Sequence, residues 1–547
     1  MKRKFLSTVA AVSVFTAAVA CSVAARADNN GQGHGNQGGT ATPIKHLVVI
    51  FNENRSFDHY FATYPNATNP KGETPFQAAH GTPRVNNLQN ANLLFNNPNL
   101  NPANGAGASN PFRIDPTQVN TADQDHDYTP EQEAYDHGRA DLFPLNTGSP
   151  TPNGAGVFGT TGMVMGYFDG NTTTALWNYA QHFAMNDNAY TDTYGPSTPG
   201  AIEVISGQTN GAVTPSAGAS ATLHEFGDAI SDGRGGLTVT GDPDPFGDLC
   251  SGPNSDGTTG EVLMTSRNIG DLLNDHGISW GGFMGGFNLQ TVNANGSKGC
   301  GRTSSSDIIA STNDYVPHHM WFQYYASTAN PQHLRPTKPI GQSDAANHQY
   351  DLDDFVAGVT AGNFPAVSYI KQIALQDGHP GNSDPLDEQQ GLVHLINFLQ
   401  QQPEWSETAV IITYDDSDGW YDHAFAKPTS SSFDPTADQL DGPGVCGTKN
   451  DVPDGVAGKP VNGRCGPGTR IPFMVISPFA KQNHVGHDRI SQASVVKFIE
   501  DNWLHGERIG QGSFDASAGS ITDLFDFGGN AGKLFLDEET GEATSRQ

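Results

Sequence analysis

Two acidic segments and one serine carry the chemistry this chain of 547 residues could perform. Glu53-Asn54 follows the apolar run 44–51, and Asp415-Asp416 follows the apolar run 409–414. Both runs are rich in β-branched residues, so each predicts a buried strand. A carboxylate beside an amide, and two adjacent carboxylates, are oxygen ligands suited to a hard divalent cation. Each pair has a simpler reading. Glu53-Asn54 could cap a helix starting near Ser56, and Asp415-Asp416 could be a solvated turn. Taken together the two strand ends favour a metal, because adjacent carboxylates are costly to bury without a cation. The ligand set leaves the metal open among Mg, Ca, Mn, Fe and Zn.

Ser197 lies in the turn Gly195-Pro196-Ser197-Thr198-Pro199 ahead of an apolar, helix-compatible run. Serine there is a good helix cap. It is equally well placed as a nucleophile, since a helix N-terminus stabilises an alkoxide and binds phosphate oxygens. Thr198 is the rival hydroxyl. His126, His318, His319, His379 and His423 all sit in polar or turn contexts and could serve as general acids or bases. A histidine among turn residues is ordinarily just solvated.

The elements that must position these residues alternate between apolar strands and helices. Further strands are predicted at 278–280, 366–370 and 471–476, and helices at 173–184, 201–206, 269–275, 388–401 and 493–504. That alternation predicts an α/β fold with a mostly parallel sheet covered on both faces. The stretches 80–122, 207–260 and 427–469 are rich in Gly, Pro, Asn or Asp and read as insertions. No internal repeat is present.

Composition narrows the partners. A formal net charge of −30 disfavours nucleic acid and offers no basic patch for anionic membranes. Lys2, Arg3 and Lys4, the apolar stretch 5–20 and Ala25-Arg26-Ala27 together form a signal peptide over 1–27, with no transmembrane segment. Lipoprotein processing at Cys21 is the alternative, and either route predicts a secreted or periplasmic protein. A polar tail covers 28–42, the catalytic domain 43–530 and a C-terminal tail 531–547. The remaining four cysteines suit an oxidising compartment. Proximity favours Cys250–Cys300 and Cys446–Cys465, and two other pairings remain possible.

With these segments in view, the chain resembles the secreted bacterial phosphoesterases that include phosphatidylcholine-type phospholipases C and respiratory-burst-inhibiting acid phosphatases. The resemblance rests on 44–61, then Gly195-Pro196-Ser197-Thr198-Pro199, Gln376-Asp377-Gly378-His379-Pro380, 414–423 and 470–478, in the family's order. It implies an alkaline-phosphatase-like three-layer α/β/α sandwich. It implies a divalent metal held by Glu53, Asn54, Asp415 and Asp416, a Ser197 nucleophile passing through a phospho-enzyme, and His126, His318, His319 and His379 lining the phosphate pocket, with His423 toward the substrate. The substrate would be a phosphodiester such as a phospholipid head group, or a small phosphomonoester. Gly-Pro-Ser-x-Pro resembles the phospholipase C form of the nucleophile turn, whereas His318-His319 leans toward the phosphatases. Ser491-Gln492-Ala493-Ser494 stands where the family often has Asp-His-Thr-Ser. Ser197-Thr198-Pro199-Gly200-Ala201 is also similar to a sulfatase nucleophile motif, with Ala201 in place of its arginine. A sulfatase and a non-catalytic binding protein are therefore the readings from other classes.

Overall fold

Strand β1, His46–Asn52, is the middle of the molecule. Its apolar residues are buried on both faces, as a central parallel strand requires. The computed structural model describes residues 39–214, 228–252 and 260–544. The expected signal peptide lies outside them. Around β1 the main sheet adds β2 (Ala184–Asn186), β3 (Trp280–Met284), β4 (Gln349–Asp351), β5 (Val367–Lys371), β6 (Thr408–Tyr414), β7 (Phe473–Ile476) and β8 (His484–Gly486). The spatial order is β4-β3-β5-β1-β6-β7-β2-β8. Only β7 runs against the others, so the expected α/β fold with a mostly parallel sheet is what forms.

Eight helices matter to the site: α1 (Phe57–Phe61), α2 (Tyr128–Tyr135), α3 (Thr174–His182), α4 (Ser197–Ser206), α5 (Ile269–Asp275), α6 (Leu352–Thr360), α7 (Pro385–Gln401) and α8 (Ala493–Trp503). Helices α4 and α8 pack together on one face of the sheet, where the Tyr369 hydroxyl donates to the Val204 carbonyl at 3.1 Å. On the other face, α7 begins with Asp384 as cap and Pro385 in its first turn, the arrangement that satisfies orphan amides at a helix start. Its Glu388 takes hydrogen bonds from Asn52 at 2.7 Å, from Tyr60 at 2.6 Å and from Tyr414. One buried carboxylate thus ties α7 to the ends of β1 and β6 and to α1. Helices on both faces make three layers.

Several expectations shift in detail. Helix α4 begins at Ser197 rather than at 201, because a proline in the first helical turn loses no hydrogen bond. The 207–260 insertion is not merely a loop. It supplies most of a five-stranded sheet built from Asn210–Val213, Ala229–Ser231, Leu237–Val239, Asp244–Pro245 and Glu261–Met264. The stretch 80–122 does stay irregular, with two short 3-10 turns and a two-residue strand. Both favoured disulfides form, Cys250–Cys300 and Cys446–Cys465. The end of the chain runs along α7, where Asn397, Gln400 and Gln389 donate to the carbonyls of Leu536, Leu534 and Glu539.

Helix α2 braces the site from the side. The buried Glu131 carboxylate accepts from the hydroxyls of Ser417 and Thr469 and from the Gly195 amide. Burial pushes its pKa up to about 7 from 4.5, against those hydrogen bonds.

Two stability predictions follow from these carboxylates. Glu388→Ala strands three buried donors and should cost about 3–5 kcal/mol, read as a lower midpoint in urea unfolding. An unchanged midpoint would refute the tie. For Glu131 the folded pKa lies above the unfolded one, so the unfolded state ionises first as pH rises. Wild type should lose about 3 kcal/mol between about pH 4.5 and 7 on this account, and Glu131→Gln should lack that loss. Parallel pH–stability curves for the two proteins would overturn it.

Candidate active site

Parallel pairing of β1 with β6 sets Asn52 opposite Tyr414, so Glu53 and Asp415 leave the sheet side by side. This is the carboxyl end of the strands, where open α/β sheets bind ligands. Both chains then turn sharply. Asn54 has φ of +52° and Asp418 has φ of +53°, a conformation Asn and Asp tolerate better than other non-glycine residues. The two turns lock together: the Asn54 amide donates to Asp415 Oδ1 at 3.1 Å and the Arg55 amide to the Asp416 carbonyl at 3.0 Å. Glu53, Asn54, Asp415 and Asp416 are all buried.

The helix-cap alternative for Glu53-Asn54 does not hold, since Ser56 caps α1 through the His59 amide. Nor does Ser197 act as a cap. Pro196 occupies that position, and the Ser197 hydroxyl instead donates to Glu53 Oε2 at 3.0 Å and lies 3.3 Å from Asp416 Oδ2. Thr198 turns its hydroxyl toward Tyr324 at 3.3 Å. Gly200 allows the close approach: a side chain there would collide with the Asp415 backbone.

Four of the five histidines converge on this point. His126 Nε2 is 3.2 Å from the Asn54 amide group, and its Nδ1 is 2.8 Å from the Gln124 carbonyl. His319 Nδ1 lies 3.2 Å from Glu53 Oε1. Ring centroids of His319 and His379 are 6.5 Å apart, those of His126 and His379 6.3 Å, and those of His318 and His319 4.4 Å. Burial alone would lower all four pKa values. For His126, the carboxylates of Asp416, Asp123, Asp418 and Asp242 outweigh burial and hold it well above its ordinary value. His318 is raised too, burial being outweighed by Asp242 and Asp244. His319 and His379 fall, by burial first and then by neighbouring histidines. The pocket therefore sets two imidazoles whose pKa values are raised beside two whose values are lowered.

His423 is placed elsewhere. It sits on Asp58 and lies 3.1 Å from Asn86 Oδ1, in a network with Asp422 and Arg470.

Residues that sequence reasoning missed complete the site. Lys371, the last residue of β5, is buried with its ammonium on Glu53 Oε1 and 3.8 Å from Asp415 Oδ2. A lysine closing an otherwise apolar strand was the available signal. Asp377 approaches His319 at 3.8 Å, and burial raises its pKa to about 7. Asp123 and Asp418 join His126 and His379 in a second cluster of ligand-type atoms, and Glu53, His319 and Asp377 form another, each within 4.8 Å.

The donor set fits a hard divalent cation. Asp415 Oδ2 is buried without a hydrogen-bond partner, its nearest cation being Lys371 at 3.8 Å. The Asn54 amide oxygen faces Glu53 Oε2 and Asp415 Oδ1, oxygen against oxygen. Rotating the amide would relieve this, but so would a cation, and the latter leaves the amide nitrogen toward His126. Glu53, Asn54, Asp415, Asp416 and the Ser197 hydroxyl are linked by pairwise approaches and match oxygen-ligand chemistry, although the tight cluster that includes Glu53 is the one with His319 and Asp377.

This geometry agrees with what the chain is similar to. Phospholipase C A of Mycobacterium tuberculosis is 25% identical over 479 residues, spanning 84% of this chain and 73% of the relative. Non-hemolytic phospholipase C of Pseudomonas aeruginosa is 23% identical over 498 residues, spanning 89% of this chain and 58% of that protein. Likeness to solved structures is slight. A protein in the alkaline phosphatase superfamily from Vibrio parahaemolyticus gives a TM-score of 0.27 at 10% identity, covering 79% of this chain and 80% of the other, too little to bear on fold or function. The Phosphoesterase family matches residues 44–504. The chain belongs to the Phosphoesterase family and is a hydrolase of phosphoric esters.

Proposed function

We propose that the chain is an exported, metal-dependent phosphodiesterase of phospholipase C type, with Ser197 as its nucleophile. The observation that carries this reading is the Ser197 hydroxyl, held by Glu53 and beside Asp416 at the start of α4 and among four histidines. Glu53, Asn54, Asp415 and Asp416 would hold the cation. When bound, it supplies Lewis-acid charge that lowers the hydroxyl's pKa and screens the phosphate.

The chain's own groups do the rest. Ser197 Oγ forms a bond to phosphorus as the ester oxygen leaves, and its proton passes to a carboxylate it already meets. His126 and His318, whose pKa values nearby carboxylates raise, can offer charge to the phosphate oxygens and a proton to the departing oxygen. His319 and His379, whose pKa values are lowered, can take the proton of the water that cleaves the phosphoryl group, with its remaining head-group ester, from Ser197. Serine regains its proton as the product departs, the head-group phosphomonoester in the case of a diester substrate.

The Gly-Pro-Ser-x-Pro turn and the phospholipase C relatives support a diester substrate such as phosphatidylcholine. Acid phosphatase action on monoesters is the second reading, favoured by the paired His318-His319. Two disulfides and the basic-then-apolar start of the sequence support export. Among the described residues no helix is long and apolar enough to cross a membrane.

Turnover of p-nitrophenyl phosphorylcholine should fall by about three orders of magnitude in Ser197→Ala, with secondary structure unchanged by circular dichroism. A mutant as active as wild type would end the nucleophile assignment. Chelator dialysis should remove activity by about a hundredfold or more, restored by a divalent cation and not by sodium. Full activity after exhaustive chelation, with no metal found by elemental analysis, would exclude metal dependence.

A further inference from the structure

One charged group beside the nucleophile has entered so far only through the charge it lends His126 and His318. Asp242 belongs to the 207–260 insertion and lies between two strands of the small sheet. Its Oδ1 accepts the Thr198 amide at 2.8 Å. Thr198 follows the nucleophile at the start of α4, and Pro199 beyond it has no N–H to give. The helix therefore has few free donors, and one adjacent to Ser197 already faces a carboxylate. A phosphate oxygen docking at this helix start would seek that same donor. The Asp242 charge also reaches His126 and His318, which line the pocket.

The backbone that carries this carboxylate is held in place, and the carboxylate itself is held by the Thr198 amide. Thr240 and Gly241 amides both donate to the Asp228 carbonyl at 3.1 Å. The Tyr324 hydroxyl donates to the Pro243 carbonyl at 2.8 Å, and the Asp244 amide to the Gly260 carbonyl at 2.8 Å. Pro243 further restricts the backbone of Asp242 to extended conformations.

Charge then separates the two substrate classes. Above about pH 7 a phosphomonoester is near a double charge, spread over three oxygens, because its second pKa is about 6. A diester carries one charge on two oxygens. With the Thr198 donor held by a carboxylate, a diester meets fewer unmet demands. A monoester must set its additional charge against the half-buried Asp242 at close range beside the nucleophile, where like charges repel.

We propose that Asp242 is a specificity-determining residue whose fixed carboxylate, on the Thr198 amide beside the nucleophile, admits phosphodiesters and rejects phosphomonoesters. The proposal rests on the Ser197 phosphoesterase reading above. Its test uses the full chain as wild type, Asp242→Asn and Asp242→Ala at pH 8, with p-nitrophenyl phosphate, bis(p-nitrophenyl) phosphate and p-nitrophenyl phosphorylcholine. The ratio of kcat/KM for the monoester to that for the bis-ester should rise about ten- to a hundredfold in both variants. Inorganic phosphate, measured by calorimetry, should bind about tenfold more tightly in both. An unchanged ratio and unchanged phosphate affinity in folded variants overturn the proposal. So does a loss confined to the phosphorylcholine ester, which would place Asp242 against the quaternary ammonium instead. Phosphate binding needs no turnover and decides on Asp242 by itself, whereas a wild type inactive on all three esters would sink the Ser197 reading.

Discussion

Repulsion among buried carboxylates is the constraint on which the rest of this structure depends. Glu53, Asp415, Asp416 and Asp418 are all shielded from water within one pocket. Burial and mutual charge drive Asp416 far above the usual carboxylate range, and burial and Asp123 do the same to Asp418. Such a cluster persists only with compensating positive charge and rigid support. The chain supplies part of the charge itself. Lys371 reaches in from β5 to Glu53, with its ammonium 5.5 Å from the centre of the Phe51 ring. Burial lowers the Lys371 pKa while Asp415, Asp377 and Asp416 draw it back. A divalent cation held there would complete the compensation and so stabilise the folded site as well.

Rigid support comes from a second ionic network just behind the first. Arg470 is fully buried and donates to Asp422 at 3.1 Å, to the Asp187 carbonyl at 2.8 Å and to the Asn86 carbonyl at 2.7 Å. It also lies 3.3 Å from Asp58 and 4.4 Å from the centre of the Phe57 ring. These contacts fasten α1, the loop after β6 and the approach to β7 to one another. His59 stacks on Trp420 at 3.9 Å, binding the same two segments. The 53–59 segment therefore divides by residue: Glu53 and Asn54 face the pocket, while Ser56, Asp58 and His59 hold the turn that aims them. His423 belongs to that frame through Asp58, which explains why its turn context in sequence resembled that of the pocket histidines.

Legibility in sequence followed how local each signal was. Strands β1 and β6 were visible because a strand buried on both faces must be apolar at every position. Their acidic ends were visible because charge stops abruptly where burial should continue. The start of α4 was misplaced, since Pro199 looks like a break until its position within the first helical turn is known. The small sheet was invisible because its strands are two to four residues long and set among Gly, Ser, Thr and Asp. Lys371, Asp377 and Asp242 could not be read at all as partners of Glu53, His319 and Thr198. Their roles arise from pairings across hundreds or tens of residues, and although a lysine closing an apolar strand marks Lys371 as unusual, no local pattern names its partner.

The two kinds of segment answer different physical demands. A knot of like charges would splay a loop, so its ligands have to leave adjacent strands whose ladder holds them in register. A pocket wall carries no such burden and needs only to place a few groups at the rim. The insertion does this with short strands and a few hydrogen bonds: Asp244 approaches His318 at 3.7 Å, and Cys250 ties it to Cys300. Changes in the insertion can therefore alter charge and shape around the substrate while the cation ligands and Ser197 keep their geometry. Such a separation would let groups that the strand register does not constrain vary while the strand-held carboxylates stay in place.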